Sequence, residues 1–579
     1  MTEPSNRRMT MQHRSITPSR VTTLRRVASR DDVGPASDRT ALIYRLPALV
    51  WPKSLSRAGK YALAFALVSG LLTHGYHLFQ YPLYNTDEGI YMERAWAVIR
   101  EKRLSPQTYV YDHAPVGWLI FAMWVFILPG HFETFGNPVN SGRVLVLLLH
   151  VASVFFLFEI ARRLSGGLLA PVIATFLFNF SPLAIYYQRM ALLDNIMVFW
   201  VLLSLYLLLR NENRLFTGLW SGATFGIAVV TKENAIFFAP TLFYLLLRLV
   251  KGDPNRNFAI MLWLFAASTP ITIYFLYSTL KGELIPAGMD FSLQHSPQGH
   301  VSLLYELWYQ INRNQTTLFA HGPDDFLYSI WLPKDSFLLG VGTAAMLFSL
   351  YRGFKDKERN LGLLIAGTLA FEIAFYLARG SVILDFYVIP LIPMYALNIG
   401  LVAAWLRQHS SVQAIRKAVP AVAACLAAGL MFIPGAGYLI VNGVHDNKHQ
   451  LKLADVYYLP LTYLQQEQIA WIRAHIPPND KIIMDDDIWV SLHDVKPYYP
   501  YAQSHWNGAT DPQIRNNMFH ANWSNIDYIV LSNGMEQAMN LNNTGGQESW
   551  MLDALKYHSA KVWQASRGNV TLSIYRVIK

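Results

Sequence analysis

The chemically suggestive residues of this chain are ionisable groups stationed at the edges of long apolar stretches. Asp87 and Glu88, within Tyr84-Asn85-Thr86-Asp87-Glu88-Gly89, follow the first such stretch, Tyr61 to Phe79. Two carboxylates beside a membrane interface would carry a desolvation cost facing lipid, so they are expected to face water or a polar cavity that uses them. The pair is a catalytic candidate, although an ordinary solvated pair of loop acids has the same local sequence. Arg143 opens the second stretch, Arg189 and Asp194 occupy a short link, Lys232-Glu233 lies at the next turn, and Arg379 and Asp385 flank a later connection. All fall on one side of the membrane in the topology derived below. Arg189 with Asp194, or Lys232 with Glu233, could equally be structural ion pairs.

The elements that must position these groups are membrane spans. Hydrophobic residues make up 53% of the chain and charged residues only 15%, with a mean hydropathy of +0.22, too apolar for a soluble chain of this size. Apolar stretches approaching the ~20 residues needed to cross a hydrocarbon core recur from Tyr61 to Val441. They are Tyr61–Phe79, Val144–Leu164, Leu168–Tyr187, Asn195–Leu209, Leu215–Val230, Ala235–Val250, Phe258–Leu280, Phe337–Tyr351, Leu361–Ala378, Phe386–Leu406 and Ala418–Val441. The net charge of +10 sits mostly in a basic N-terminal tail and short loops, where membrane orientation explains it and nucleic-acid binding is not needed.

With the N-terminal tail inside, the loops holding Arg162-Arg163, Arg210, Lys251, Arg352 to Arg359 and Arg407 all fall on the cytoplasmic side, as the positive-inside rule requires. About eleven transmembrane helices then put the C-terminus outside. Val116–Leu128 is short for a crossing, and counting it as one would reverse every later loop. It reads as an interfacial or re-entrant helix, with Trp118 and Trp124 at the headgroup boundary. The fold expected is a polytopic α-helical membrane protein with a small C-terminal external α/β domain. Residues 1–56 form a disordered basic cytosolic tail, 57–441 a transmembrane core with external loops 80–142 and 281–335, and 442–579 the external domain. In that domain Glu467–His475 reads as a helix and Lys481–Met484, Tyr528–Leu531 and Leu572–Val577 as strands.

The single cysteine, Cys425, excludes an intramolecular disulfide and a cysteine-based metal site. Asp485-Asp486-Asp487 contains a D-x-D spacing that can hold a divalent metal, but three acids at a strand end also make a solvated turn or helix cap. His445 and His449 have i, i+4 spacing without the glutamate of the H-E-x-x-H zinc motif. No metal ligand is assigned and no cofactor is required by these residues.

Asp87-Glu88 after the first span, Tyr111-Asp112-His113-Ala114-Pro115-Val116-Gly117-Trp118-Leu119, Arg143, and Arg189-Met190-Ala191-Leu192-Leu193-Asp194 together resemble the integral-membrane glycosyltransferases of the GT-C superfamily. The similarity is to the protein O-mannosyltransferases and the bacterial aminoarabinose lipid A transferases, and covers roughly residues 60–410. It implies a sugar donor linked through phosphate to a polyprenol, and an acceptor entering from outside. Carried onto this chain, Asp87 is the general base, Glu88 its supporting acid and Asp194 the acid of the second external motif. Arg143, Lys232, Arg189, Arg379 and His113 are candidates for the donor phosphate, Arg143 and Lys232 first. His113 departs from the lysine of the lipid A branch, which leaves phosphate contact open at that position.

That chemistry needs these residue types. A hydroxyl is a poor nucleophile, and a positioned carboxylate that removes its proton helps by about 10²–10⁴-fold. The leaving phosphate monoester needs no proton but benefits from cations that stabilise its charge. A single displacement inverts the anomeric centre. The expected protein is thus a multi-pass enzyme of the cell membrane acting with membrane lipids, a polyprenyl-phosphate-linked sugar and a lipid, glycan or protein acceptor. A transporter or flippase of lipid-linked sugars is the alternative, and an inactive scaffold a third reading.

Overall fold

The computed structural model describes residues 55–210, 214–289, 301–312, 326–379, 383–410, 460–543 and 546–579, with isolated positions 291, 413 and 418. The first helices are α1 (Arg57–Gly75), α2 (Thr86–Arg100), α3 (Val116–Ile127), α4 (Pro138–Ser165) and α5 (Leu169–Phe180). There follow α6 (Pro182–Tyr187), α7 (Leu193–Arg210), α8 (Arg214–Thr231), α9 (Ala239–Leu249) and α10 (Arg256–Leu280). The series continues with α11 (Leu303–Asn312), α12 (Leu332–Lys355), α13 (Leu361–Ala378), α14 (Leu391–His409) and α15 (Thr462–His475). Ten of the expected spans coincide with helical segments; the eleventh, apart from Ala418, lies outside the described residues, as do Cys425, His445 and His449.

Six of these segments are long and apolar enough to cross a membrane by themselves, among them α4, α7, α10 and α13. The expected span Leu168–Tyr187 is broken at Ser181-Pro182, because proline lacks the N–H that would continue α5. Ser181 then caps α6, its hydroxyl accepting from the Ala184 N–H at 3.3 Å. Phe258, Met261, Phe265, Ile273 and Leu280 on α10 remain exposed. An apolar outer face of that extent suits a lipid solvent. At one end of the bundle the basic loops meet: Arg163 donates to the Leu209 carbonyl at 3.0 Å and Arg248 pairs with Glu358 at 2.5 Å.

α3 corrects one expectation. Trp118 is fully buried, with the Arg94 guanidinium 4.8 Å from its ring centre, and Trp124 donates to the Ser141 carbonyl at 2.8 Å. The side chains that α3 leaves exposed are Met123, Phe126 and Ile127. An indole takes the face where a cation and a carbonyl are available to it, so Trp118 packs into the protein in place of a headgroup boundary, while Trp124 stays half-buried.

The C-terminal region is a five-stranded sheet in the order β2-β1-β3-β5-β4, with β1 Ile482–Met484, β2 Ala502–Ser504, β3 Tyr528–Leu531, β4 Ser559–Arg567 and β5 Val570–Val577. β1 pairs in parallel with β2 and β3, whereas β5 runs antiparallel to β3 and β4. The expected helix and three strands are present. β2 escapes a sequence reading because Ala-Gln-Ser holds no β-branched or aromatic residue, whereas the equally short β1 is Ile-Ile-Met, and β4 escapes by its polar, largely exposed edge position.

The domain docks on α2. A Cβ at Gly89 would overlap the Asp486 carbonyl, so only glycine allows this approach. Tyr84 offers its N–H and carbonyl to the Gln465 side chain at 2.8 and 3.0 Å, and Thr86 donates to Asp485 at 3.1 Å. At the far end of α2, Trp96 and Arg100 both donate to Asp494. Asp485-Asp486-Asp487 is therefore a buried docking turn; of the two readings the sequence offered, the helix cap holds, Asp485 Oδ1 accepting from the Asp486 N–H at 2.9 Å, and the solvated turn does not.

Candidate active site

α2 owes its start to a capping box. The Asn85 side chain accepts from the Asp87 N–H at 2.9 Å, and Glu88 Oε2 accepts from the Asn85 N–H at 3.0 Å. This reciprocal cap satisfies two helix donors that would otherwise be orphaned. It also fixes the directions of the two adjacent acids.

Glu88 turns inward. It is fully buried, and Arg143 grips it through Nε to Oε1 at 2.8 Å and Nη2 to Oε2 at 2.6 Å, while the Ala191 N–H donates to Oε1 at 2.6 Å. Arg143 directs its remaining N–H groups to the carbonyls of Leu78, Pro82 and Leu83. All five donors of the guanidinium are thus engaged. This differs from the expectation that Arg143 faces a donor phosphate: in this structure it has no N–H left to give one. Glu88 likewise has no oxygen facing an acceptor; the pair ties α2 to α4 and to the loop before α7.

Asp87 turns outward into a cavity of about 490 Å³. One wall comes from the membrane core and its loops, including Asp87, Glu93, Arg94, His113 and Tyr387; the other comes from the C-terminal domain, including Asp485, Asp486, His505 and Trp506. The Asp87 carboxylate is half-buried and accepts no hydrogen bond among the described residues. Burial pushes its pKa up to about 6, against the pull of Lys232 and His113 and with the help of the Asp194 and Asp385 charges. A carboxyl so placed can take a proton near neutral pH.

Behind Asp87, Lys232 donates to Asp194 Oδ2 at 2.6 Å with both side chains buried. The ammonium lies 4.6 Å from the Tyr387 ring centre and 4.9 Å from that of Phe386. Asp194 Oδ1 is buried without a hydrogen-bond partner. Sequence adjacency suggested Lys232 with Glu233 and Arg189 with Asp194; the structure instead pairs Lys232 with Asp194. Glu233 accepts from His113 Nδ1 at 3.0 Å and from the Ala114 N–H at 2.6 Å, and so holds the His113 segment against the core.

Arg189 is fully buried and donates to the Thr73 carbonyl at 2.7 Å, away from the cavity lining. Arg379 ends α13, half-buried, with its guanidinium 3.9 Å from the Tyr376 ring centre and a 2.6 Å bond to the Tyr376 carbonyl. Of the expected site residues, Asp87 and His113 line the cavity, and Lys232 with Asp194 stands directly behind. Among the described residues no group of three or more His, Cys, Asp or Glu is arranged to hold a metal ion.

Glu93 and Asp112, which also line the cavity, went unassigned in the sequence. Asp112 forms a two-pronged pair with Arg94, both bonds 2.9 Å. The available signal was Asn85-x-x-Glu88, a capping box that announces a helix and places Glu93 and Arg94 upon it.

Comparison with known proteins agrees with this architecture. Residues 112–277 match the family described as dolichyl-phosphate-mannose-protein mannosyltransferase; the segment includes His113, Arg143, Arg189, Asp194 and Lys232 and excludes Asp87. No curated protein matches the chain in sequence. Among solved structures, ArnT from Cupriavidus metallidurans bound to undecaprenyl phosphate is similar over 90% of this chain and 98% of its own, at 16% identity and a TM-score of 0.52. The oligosaccharyltransferase of Archaeoglobus fulgidus is similar over 87% of this chain and 73% of its own, at 13% identity and the same TM-score. The same enzyme in complex with an inhibitory peptide and a dolichol-phosphate gives a TM-score of 0.50 at 12% identity, over 89% of this chain and 74% of its own. At such identities the likeness is one of fold, and the fold is that of the GT-C glycosyltransferases, as the sequence resemblance implied.

Proposed function

We propose that this GT-C-fold membrane protein is a glycosyltransferase that moves a sugar from a polyprenyl-phosphate donor to an acceptor hydroxyl, with Asp87 as the general base. The observation that carries this reading is the Asp87 carboxylate itself: unbonded, open to the cavity, and pushed up to about 6 by burial. The undecaprenyl phosphate and dolichol-phosphate held by proteins of like fold support the donor class.

In the reaction Asp87 accepts the acceptor's proton while the hydroxyl oxygen attacks the anomeric carbon. The carbon–oxygen bond to phosphate breaks, and the phosphate leaves with the bonding pair. Attack from the face opposite the leaving group inverts the anomeric centre. The cation with capacity to offset the growing phosphate charge is Lys232, which uses one donor on Asp194, with His113 on the cavity wall as the second candidate; a buried ammonium is effective there because little water screens it. Asp194 orients Lys232. Glu88 and Arg143 are positioning residues that lock the first turn of α2 and aim Asp87. Arg379 is a further candidate cation for the donor, and Arg189 braces the last turn of α1 and the loop after it through the Thr73 and Tyr81 carbonyls.

The basic loops gather at one end of the bundle, and the preference of positive loops for the inner side supports a cytoplasmic N-terminus and an extracytoplasmic cavity and C-terminal domain. The test is transfer by purified protein in nanodiscs from a polyprenyl-phosphate sugar, with product configuration read by NMR. An inverted product, made without sugar crossing the bilayer in a vesicle assay, is expected. Retained configuration would remove the single displacement, and movement of intact donor without transfer would make the protein a flippase.

A further inference from the structure

The two walls of the cavity differ in how far their side chains are already committed. On the core side, Arg94 is taken by Asp112, and His113 by Glu233. On the C-terminal wall the side-chain amides of Asn507 and Asn533 make no hydrogen bond among the described residues, and the indole of Trp506, 39% exposed, makes neither a hydrogen bond nor a ring contact among them. Between the walls, Glu93 is buried with its carboxyl against that of Asp486, and Glu93 Oε2 has no hydrogen-bond partner.

A flat apolar ring, two free amides and an unsatisfied buried carboxyl oxygen form a specific set. Large indoles left in water cost burial energy unless something covers them. A buried carboxyl oxygen without a donor costs about 1–3 kcal/mol. Free amides offer a donor and an acceptor at neighbouring positions. A sugar ring answers all three: its C–H face covers the indole, one hydroxyl donates to Glu93, and vicinal hydroxyls meet the amides in both senses. An anionic acceptor would meet the acidic groups of Asp87, Asp485 and the Glu93–Asp486 pair, which shares a proton, with the Arg94 cation already engaged, and the remaining like charges disfavour it.

We infer that the C-terminal wall, through Trp506, Asn507, Asn533 and Glu93, is an acceptor site for a neutral carbohydrate chain. The inference rests on the transferase reading above and names its acceptor class. The oligosaccharide end docks against Trp506 and presents its terminal hydroxyl toward Asp87 across the cavity.

The experiment uses the full-length protein in nanodiscs without donor. Probes are linear tetrasaccharides of α-mannan, arabinan and β-glucan, a serine- and threonine-containing octapeptide, and lipid A, with binding read by saturation-transfer NMR and titration. At least one neutral tetrasaccharide is expected to bind, Trp506→Ala to weaken it tenfold or more, Trp506→Tyr to restore most of it, and Asn533→Ala to weaken it several-fold. Trp506 and Asn533 are exposed, so these variants keep the fold. Failure of all three sugars to bind, sugar binding indifferent to Trp506→Ala, or Trp506-dependent binding of the peptide or lipid A in place of sugar would each overturn the inference. Slow release of sugar from the donor to water by the unmodified protein is measured in parallel. Release without tetrasaccharide binding leaves the transferase standing and removes this acceptor; tetrasaccharide binding without any release or transfer removes the transferase and leaves a carbohydrate-binding wall.

Discussion

Consecutive residues of a helix point about 100° apart, and at the start of α2 that rotation separates two carboxylates that look equivalent in the chain. Glu88 enters a closed cluster in which each oxygen has partners and each Arg143 N–H has an acceptor. Asp87 enters an open one, where its carboxylate faces a cavity and its charged neighbours act through space. The closed cluster is rigid and saturated; it can hold a helix in place but has no free valence for substrate. The open cluster has the free valence and owes its geometry to the closed one.

The two clusters part most decisively in a pair of variants. Asp87→Asn is expected to lower turnover by about 10²–10⁴-fold with an unchanged thermal midpoint, because the amide keeps the size of the carboxyl and loses only a proton acceptor. Glu88→Gln should do the reverse in kind. It leaves the Arg143 charge buried and unpaired, a loss of about 3–5 kcal/mol for broken buried pairs, so unfolding moves down sharply and activity follows the folded fraction. Turnover and detergent thermal melts on both proteins decide it; a stable, slow Glu88→Gln variant would put Glu88 in the chemistry.

This division was only partly legible in the sequence. The spans were, because long apolar stretches and one-sided arginines announce themselves locally. Asp87, His113, Asp194 and Lys232 were found as residues, yet their pairing was not. The carbonyls of Leu78, Pro82 and Leu83 that saturate Arg143 belong to a loop about 60 positions away, and nothing in either segment states that they meet. Asp485-Asp486-Asp487 reads as a solvated turn or helix cap, and its burial stays hidden until Gly89, nearly 400 residues earlier, is seen to admit its backbone. Tertiary neighbours decide whether a charge is open or closed, and hydropathy carries no record of them.

A smaller effect tests the open cluster through its charges. If Asp87 acts as base, kcat/KM falls as pH drops through about 6, since protonation removes the acceptor. Lys232 lowers the Asp87 pKa and Asp194 raises it, the lysine being the larger influence. Replacing both, Lys232→Met with Asp194→Asn, avoids stranding one buried charge and removes the net downward pull. The acidic limb of the pH–rate profile should then move to higher pH. A limb that stays in place would detach Lys232 from Asp87 and make His113 the next neighbour to test.

The least of the expected effects concerns the seam between the walls. Burial raises the pKa of both Glu93 and Asp486, and the Glu93 charge raises Asp486 further; the docked seam therefore holds a proton that the separated surfaces would release. Its contribution is full below the ordinary glutamate value of 4.5. It is lost as pH rises toward the higher values of the docked pair, the opening equilibrium changing about tenfold per pH unit in that window. Hydrogen exchange over residues 482–494, corrected for its intrinsic pH dependence, should accordingly show protection falling as pH rises from the ordinary value of 4.5 through the Glu93 value of about 7. Glu93→Gln carries a permanent donor in place of the shared proton, so its protection should be flatter across the same range. Equal slopes in the two proteins would mean that the seam is held by Gly89 packing and the Gln465 and Asp494 bonds alone.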